Sequence, residues 1–208
     1  MTKREVDLTE EWTNKIVAEA KKSNPRDYLI FRLYATKGFR RGEVLGSEAR
    51  HWNKQTRKWV KGERTVPGLR IEDLEDNGIW VQGKGWRREK NAAPPEFINL
   101  SAPLVKDLRE YIGKRKSGRI FEIDPSMANH LCHLYARRAG HPDWMLLHPH
   151  RLRYFGGGQV YEREEKDMRA TMTFLRHKDP RSTARYIGKA PPEQRRKTSE
   201  MMETLVSV

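Results

Sequence analysis

The residues able to do chemistry in this chain are scattered from Arg40 to Tyr186. Arg40, Lys84, His150, Arg153, His177 and Tyr186 each sit in a short string suited to a phosphate. The strings are Gly38-Phe39-Arg40-Arg41-Gly42-Glu43, Gly83-Lys84-Gly85, Pro149-His150-Arg151-Leu152-Arg153, and Leu175-Arg176-His177 with Tyr186 nine residues on. A guanidinium is a planar fork that grips two phosphate oxygens at once, which an ammonium cannot do. Attack on a phosphodiester builds charge on the non-bridging oxygens, and donors fixed around them lower the barrier. A phenol with a free pKa of about 10 is a weak nucleophile, and nearby cations favour its phenolate. Arg40, Arg153, Lys84, His150 and His177 could hold and protonate a phosphodiester while Tyr186 attacks it. His150 could orient the phenol or accept its proton, and Lys84, on a glycine-flanked turn, could protonate the leaving oxygen. The product would be a covalent phosphotyrosyl bond, a linkage that permits resealing without ATP.

Each residue alone has a plainer reading. An arginine beside a turn glycine is usually a solvated charge. A His-x-x-Arg spacing is often a surface pair on a helix, and a tyrosine in an amphipathic helix usually packs. His177 alone reads equally as a buried, hydrogen-bonded histidine. Order and spacing taken together carry the argument.

The elements that must position these groups are mostly helical. Residues 9–21 form a helix with Trp12, Ile16 and Ala20 at helical spacing. Asn24-Pro25 starts a second helix with an Asn cap and Pro in the first turn, its apolar stripe is Leu29, Ile30, Leu33 and Tyr34, and Gly38 closes it. Glu43 to Arg50 is expected as a short helix directly after Arg40. From about Trp52 to Leu100 the texture changes, and Lys61-Gly62, Pro67-Gly68 and Asn77-Gly78 separate strand-like runs. The best strands are Ile79-Trp80-Val81 and Phe97-Ile98-Asn99-Leu100, joined through the basic segment that carries Lys84. Ser101 starts a helix with Leu104, Leu108, Tyr111 and Ile112 on one face. Ser126 starts another, with Met127, His130, Leu131 and Leu134 expected inward and Gly140 at its end. A helix follows His150 despite Gly156-Gly157-Gly158, each glycine weakening it by roughly 1 kcal/mol. Asp179-Pro180 is a cap-plus-proline start that puts Tyr186 about two turns into a short helix. The tail 191–208 is expected to form an amphipathic helix bearing Met201, Leu205 and Val208 on one side.

Bulk properties narrow the partner. The chain has 208 residues, 42 Lys and Arg against 28 Asp and Glu, and a net charge of +14; its pI is about 10.0. Such a field draws polyanions. No polybasic stretch adjoins a long apolar segment, so a membrane partner is not expected. The start, Met1-Thr2-Lys3-Arg4-Glu5, lacks a secretory apolar region, and the lone Cys132 cannot form an internal disulfide; both fit the cytoplasm. His130, Cys132, His133 and His141 are the candidates for zinc, but helical spacing puts His130 and Cys132 on different faces, and no metal site is expected. Trp52, Trp59, Trp80 and Trp86, interleaved with Lys54, Arg57, Lys58 and Lys61, serve equally as strand packing or as contacts to a DNA backbone.

The ordered strings resemble the catalytic domain of the tyrosine recombinase family, the phage-integrase and Xer-like enzymes, from about residue 9 to 190. The resemblance implies a mainly helical α+β fold with a small antiparallel sheet, a catalytic domain over 1–190 and a tail helix over 191–208. It implies Arg40, Lys84, His150, Arg153, His177 and Tyr186 as catalytic residues and Glu43 as the carboxylate steadying the loop of Arg40. Arg41, Arg87, Arg88, Arg151 and Arg176 are expected on the DNA. Two positions depart from the family pattern: Tyr154 stands where a second histidine is common, and Arg176 replaces the usual glycine before His177. The implied activity is site-specific recombination without metal, nucleotide or other cofactor, on double-stranded DNA, with tetrameric self-association through the tail. The setting is the nucleoid or host-cell DNA. Family members usually carry a separate N-terminal clamp, which no segment before residue 9 could form. A relaxing activity of the type IB topoisomerase kind and a DNA-binding module without catalysis are the alternatives.

Overall fold

The computed structural model describes residues 6, 8–82, 94–177 and 179–187, without the side chains of 48–52, 59, 61–65 and 185–187. Helix α1 (Glu10–Ser23) opens on Thr9, whose hydroxyl accepts the Trp12 N–H, and buries Thr13, Ile16 and Ala20. Asn24 separates it from α2 (Pro25–Lys37), and its side chain accepts the Arg26 N–H at 2.9 Å. The apolar stripe of α2 is buried as its spacing requires, with Phe31 and Ala35 added, and Gly38 closes the helix in the left-handed region.

After α3 (Arg41–Leu45) the chain departs from the expected helix over Glu43–Arg50. Gly46 has a positive φ and lies against the backbone of Val66 and Pro67, and Ser47 already begins β1 (Ser47–Asn53). Pairing with β2 (Lys58–Val66) overrides the local helical preference of Glu48 and Ala49. Lys61-Gly62, expected as a turn, falls inside β2. The ladder pairs Glu48 with Thr65 but Arg50 with Lys61, so β2 carries extra residues there and Gly62 sits in the irregularity. The reversal comes instead at residues 54–57, with Arg57 left-handed.

Strands β3 (Gly78–Val81) and β4 (Glu96–Asn99) pair antiparallel, as expected. The described sheet structure is thus two separate two-stranded ribbons. Short 3-10 turns lie at Ile71–Asp73 and Trp144–Leu146.

Helix α4 (Ala102–Ile112) follows Ser101 and buries Leu104, Val105, Leu108 and Ile112. Helix α5 (Met127–Arg138) is rotated relative to the expected face. Ala128, Leu131, Cys132, Tyr135 and Ala136 are buried, whereas Met127 and His130 are exposed. Small alanines let α5 approach its neighbours, and that contact outweighs the larger apolar Met127. Cys132 is buried, and loss of hydration pushes its thiol pKa far up.

Helix α6 (Pro149–Arg163) crosses α2 and packs on α7 (Met168–Leu175). Two of its three glycines mark those crossings. A Cβ on Gly156 would lie 2.2 Å from the Ala35 carbonyl of α2, and one on Gly157 would lie 2.9 Å from Leu175 of α7; Gly158 meets nothing within 4 Å. Helix α7 was not anticipated in the sequence, although Asp167 caps it through the Arg169 N–H at 2.6 Å. Helix α8 (Pro180–Ile187) begins as expected, with Asp179 accepting the Arg181 N–H at 2.9 Å. The segment of Lys84, Arg87 and Arg88 and the tail 191–208 lie outside the described residues.

Candidate active site

The site is assembled where the end of α2, the start of α3, the start of α6, the end of α7 and the start of α8 meet. Gly38 supplies the first fixed point: its left-handed turn, φ +57°, presents its carbonyl to two guanidiniums. Two residues on, Arg40 caps α3. Its N–H donates to Glu43 Oε2 at 2.7 Å, and its Nη1 donates to Glu43 Oε1 at 2.6 Å. Glu43 therefore holds both the backbone and the side chain of Arg40. Burial raises the Glu43 pKa, but Arg176 and Arg40 together with hydrogen bonds from Arg40 outweigh this, and the carboxyl is held below its usual range.

Helix α6 brings His150 and Arg153 to the same place one turn apart. Arg153 is wholly buried, with 0% exposure. Its Nη1 donates to the Gly38 carbonyl and its Nη2 to the Leu175 carbonyl, and Nη2 lies 3.2 Å from His177 Nε2. Arg40 Nη2 donates to the carbonyls of Leu175, at 3.4 Å, and Arg176, at 3.1 Å. Arg40 and Arg153, distant in sequence, thus share the Leu175 oxygen. Arg40 is the one of the pair that reaches solvent, at 28% side-chain exposure.

His177 links this cluster to α8, its Nδ1 lying 2.9 Å from Thr183 Oγ1. Arginine can only donate, so His177 Nε2 accepts from Arg153 and the ring proton sits on Nδ1, donating to Thr183. That assignment needs a neutral imidazole. Burial, then Arg153, Arg40 and Arg176, push the His177 pKa down to about 4. His150 is lowered to about 4 as well, by burial first and then by Arg153, His148, Arg40 and Arg41. Its ring is exposed at the surface, so the surrounding cations hold this direction even where water reaches it. It stacks on Tyr154 at 5.7 Å. Tyr154, where the family pattern has a second histidine, therefore serves as a flat wall beside His150.

Tyr186 lies in the second turn of α8, three residues beyond Thr183, its side chain outside the described residues. Lys84, Arg87 and Arg88 likewise fall outside them. Arg41 is exposed, and the Arg151 guanidinium covers the Tyr154 ring at 5.6 Å. Arg176, expected on the DNA, is instead placed inside the protein at 6% side-chain exposure, its donors spent on Lys37, Gly38, Phe174 and Glu43. Its left-handed backbone, at the position where the family has glycine, turns the side chain inward. The zinc candidates are not brought together: His130 is exposed, Cys132 is buried, and His141 is a core histidine against the Trp12 ring at 4.8 Å.

Sequence reasoning missed Thr183, for which helical spacing before Tyr186 was an available signal. It also missed the carbonyls of Gly38 and Leu175, which no sequence pattern exposes.

This arrangement of helices around two arginines and two histidines has the fold of a tyrosine recombinase catalytic domain. XerA recombinase matches with a TM-score of 0.66 at 18% identity, over 97% of this chain and 66% of that one. XerH bound to its difH substrate matches at 0.60 and 17% identity, over 96% of this chain and 55% of that one. The catalytic domain of bacteriophage HP1 integrase matches at 0.56 and 18% identity, over 94% of this chain and 95% of that one. The chain thus spans two thirds or less of the Xer recombinases and nearly all of the isolated integrase domain. No protein-family model and no curated protein matches it.

Proposed function

We propose that this chain is the catalytic domain of a site-specific DNA recombinase that cuts and rejoins strands through a 3′-phosphotyrosyl intermediate. The observation that carries the reading is the shared acceptor. Arg40 and Arg153 both donate to the Leu175 carbonyl while Arg153 also meets His177, which in turn joins the helix of Tyr186. Arg40, Arg153 and His177 meet around one point, which supports a site for phosphoryl transfer.

In the reaction the Tyr186 oxygen attacks phosphorus, the P–O5′ bond breaks, and the 5′-oxygen takes a proton from Lys84. Arg40, the guanidinium with an open side, receives a non-bridging oxygen. Arg153 and neutral His177 back it from the interior, and His150 stands at the surface beside Tyr154, neutral at pH 7 and able to accept the phenol proton. The catalytic unit is residues 1–190, and 191–208 form a tail through which protomers associate on duplex DNA as a synaptic tetramer. Double-stranded DNA as substrate is supported by the +14 charge and by the solved XerH–difH and Tn1549 integrase–DNA complexes of the same fold. Among the described residues no helix is long and apolar enough to cross a membrane. We place the protein in the cytoplasm on nucleoid or host DNA.

The test is a nicked suicide duplex carrying the cognate or a near-cognate site, run on denaturing gels with and without Tyr186→Phe. The wild type is expected to give a protein–DNA adduct that the variant lacks entirely. An adduct that persists in the variant would remove Tyr186 as nucleophile. Relaxation of supercoiled plasmid without exchange would make the enzyme a topoisomerase-like relaxer, and tight binding without any adduct a DNA-occupying module.

A further inference from the structure

The Arg176 side chain lies inside the protein, at 6% exposure. Its residue adopts φ 51°, ψ 50° at the end of α7, a left-handed backbone that costs a side-chain-bearing residue about 1 kcal/mol and that glycine adopts freely. In return the side chain makes a dense set of contacts. Its Nη2 donates to Glu43 Oε2 at 2.5 Å and to the Gly38 carbonyl at 3.2 Å, and its Nη1 to the carbonyls of Lys37 at 3.2 Å and Phe174 at 3.4 Å. Its Nε lies 3.9 Å from Glu96 of β4, and the guanidinium covers the Phe39 ring at 5.0 Å. Glu43 is thereby shared: Arg40 holds Oε1 and, through its N–H, Oε2, while Arg176 holds Oε2 from the opposite side. The Arg176 carbonyl meanwhile accepts from Arg40 Nη2 at 3.1 Å. Arg40 is clamped by Arg176 at both ends, through the carboxylate in front and the carbonyl behind.

We propose that Arg176 is a positioning residue that fixes the Arg40 guanidinium for the phosphate, acting through Glu43 and its own carbonyl and not touching DNA. A single anionic carboxylate between two guanidiniums leaves one net positive charge, and the inner arginine's fork directs that charge outward through Arg40. A lysine could supply charge to Glu43 but not the second and third carbonyl contacts, so geometry and charge are separable by substitution.

The inference rests on the recombinase reading, and the experiment separates the two. Arg176→Gly removes the guanidinium and relieves the left-handed backbone, so the fold is not put at risk by strain; Arg176→Lys keeps charge alone. Both are compared with wild type in single-turnover cleavage of the suicide duplex, in equilibrium DNA binding, and in orthovanadate binding as a phosphate probe. Expected are cleavage slowed about tenfold to a hundredfold in Arg176→Gly, DNA affinity within about twofold, because no DNA contact is lost, and vanadate binding weakened in parallel with cleavage. Arg176→Lys should recover only part of the rate. Wild-type cleavage in Arg176→Gly, or a loss of DNA affinity as large as the loss of rate, overturns the proposal while leaving the recombinase reading intact. If the wild type forms no adduct, that reading fails, and the vanadate comparison alone decides: weaker binding in Arg176→Gly supports positioning, and equal binding refutes it.

Discussion

Folding makes both histidines of the site weaker bases. Each has an ordinary pKa of 6.5 and a folded value of about 4. Between those values the unfolded chain binds protons that the folded chain does not, so folding stability rises with pH across that window. The contribution is complete above pH 6.5 and is lost as pH falls toward 4. Urea midpoints measured at about pH 7.5 and about pH 5 should therefore fall on acidification, and His177→Asn should show a smaller fall. An identical fall in the variant would remove His177 from the cause. The same neutrality is what lets His177 accept from Arg153 and donate to Thr183, so protonation breaks the link between the arginine cluster and α8.

At the scale of elements, α6 is the beam that carries His150 and Arg153, and its glycines decide how closely it sits. A methyl at Gly156 would collide with the backbone carbonyl of Ala35, which cannot move aside as a flexible side chain can, whereas a methyl at Gly158 meets nothing within 4 Å. Gly156→Ala is expected to destabilise by about 1–3 kcal/mol through overpacking. Gly158→Ala should stabilise by up to about 1 kcal/mol through helix propensity. Opposite signs from neighbouring glycines in thermal or urea unfolding are the check, and equal effects would show that α6 does not press on α2. The glycine run was visible in the sequence with only its propensity cost attached. Its purpose depends on which neighbour each glycine faces, and that is a property of helix crossing.

For the whole molecule, a net charge of +14 favours encounter with polyanions. On the proposed DNA-binding reading, a net charge of +14 predicts binding that weakens by two or more orders of magnitude between about 50 and 200 mM salt, as phosphate-held counterions are released. Filter binding or fluorescence anisotropy across that range tests it, and a flat salt dependence would contradict a phosphate-dominated interface. Internal positioning uses some of the charge that composition assigns to the surface: Arg153 and Arg176 are both buried. Net charge alone therefore overstates the number of arginines open to a polyanion.

Local signals in the chain settled most elements and set the order of the candidate site residues. Asn24-Pro25, Gly38 and Asp179-Pro180 set helix ends through capping chemistry that needs no partner, and the arginine, histidine and tyrosine strings carry their order wherever they fold. Tertiary contact decided what local chemistry leaves open. Strand pairing cut the helix after Leu45 short, close packing of Ala128 and Ala136 turned α5, and a left-handed turn sent Arg176 inward to Glu43. The reason is physical: capping and periodicity act over a few residues, whereas pairing, crossing distance and charge sharing depend on neighbours that only the folded chain brings together.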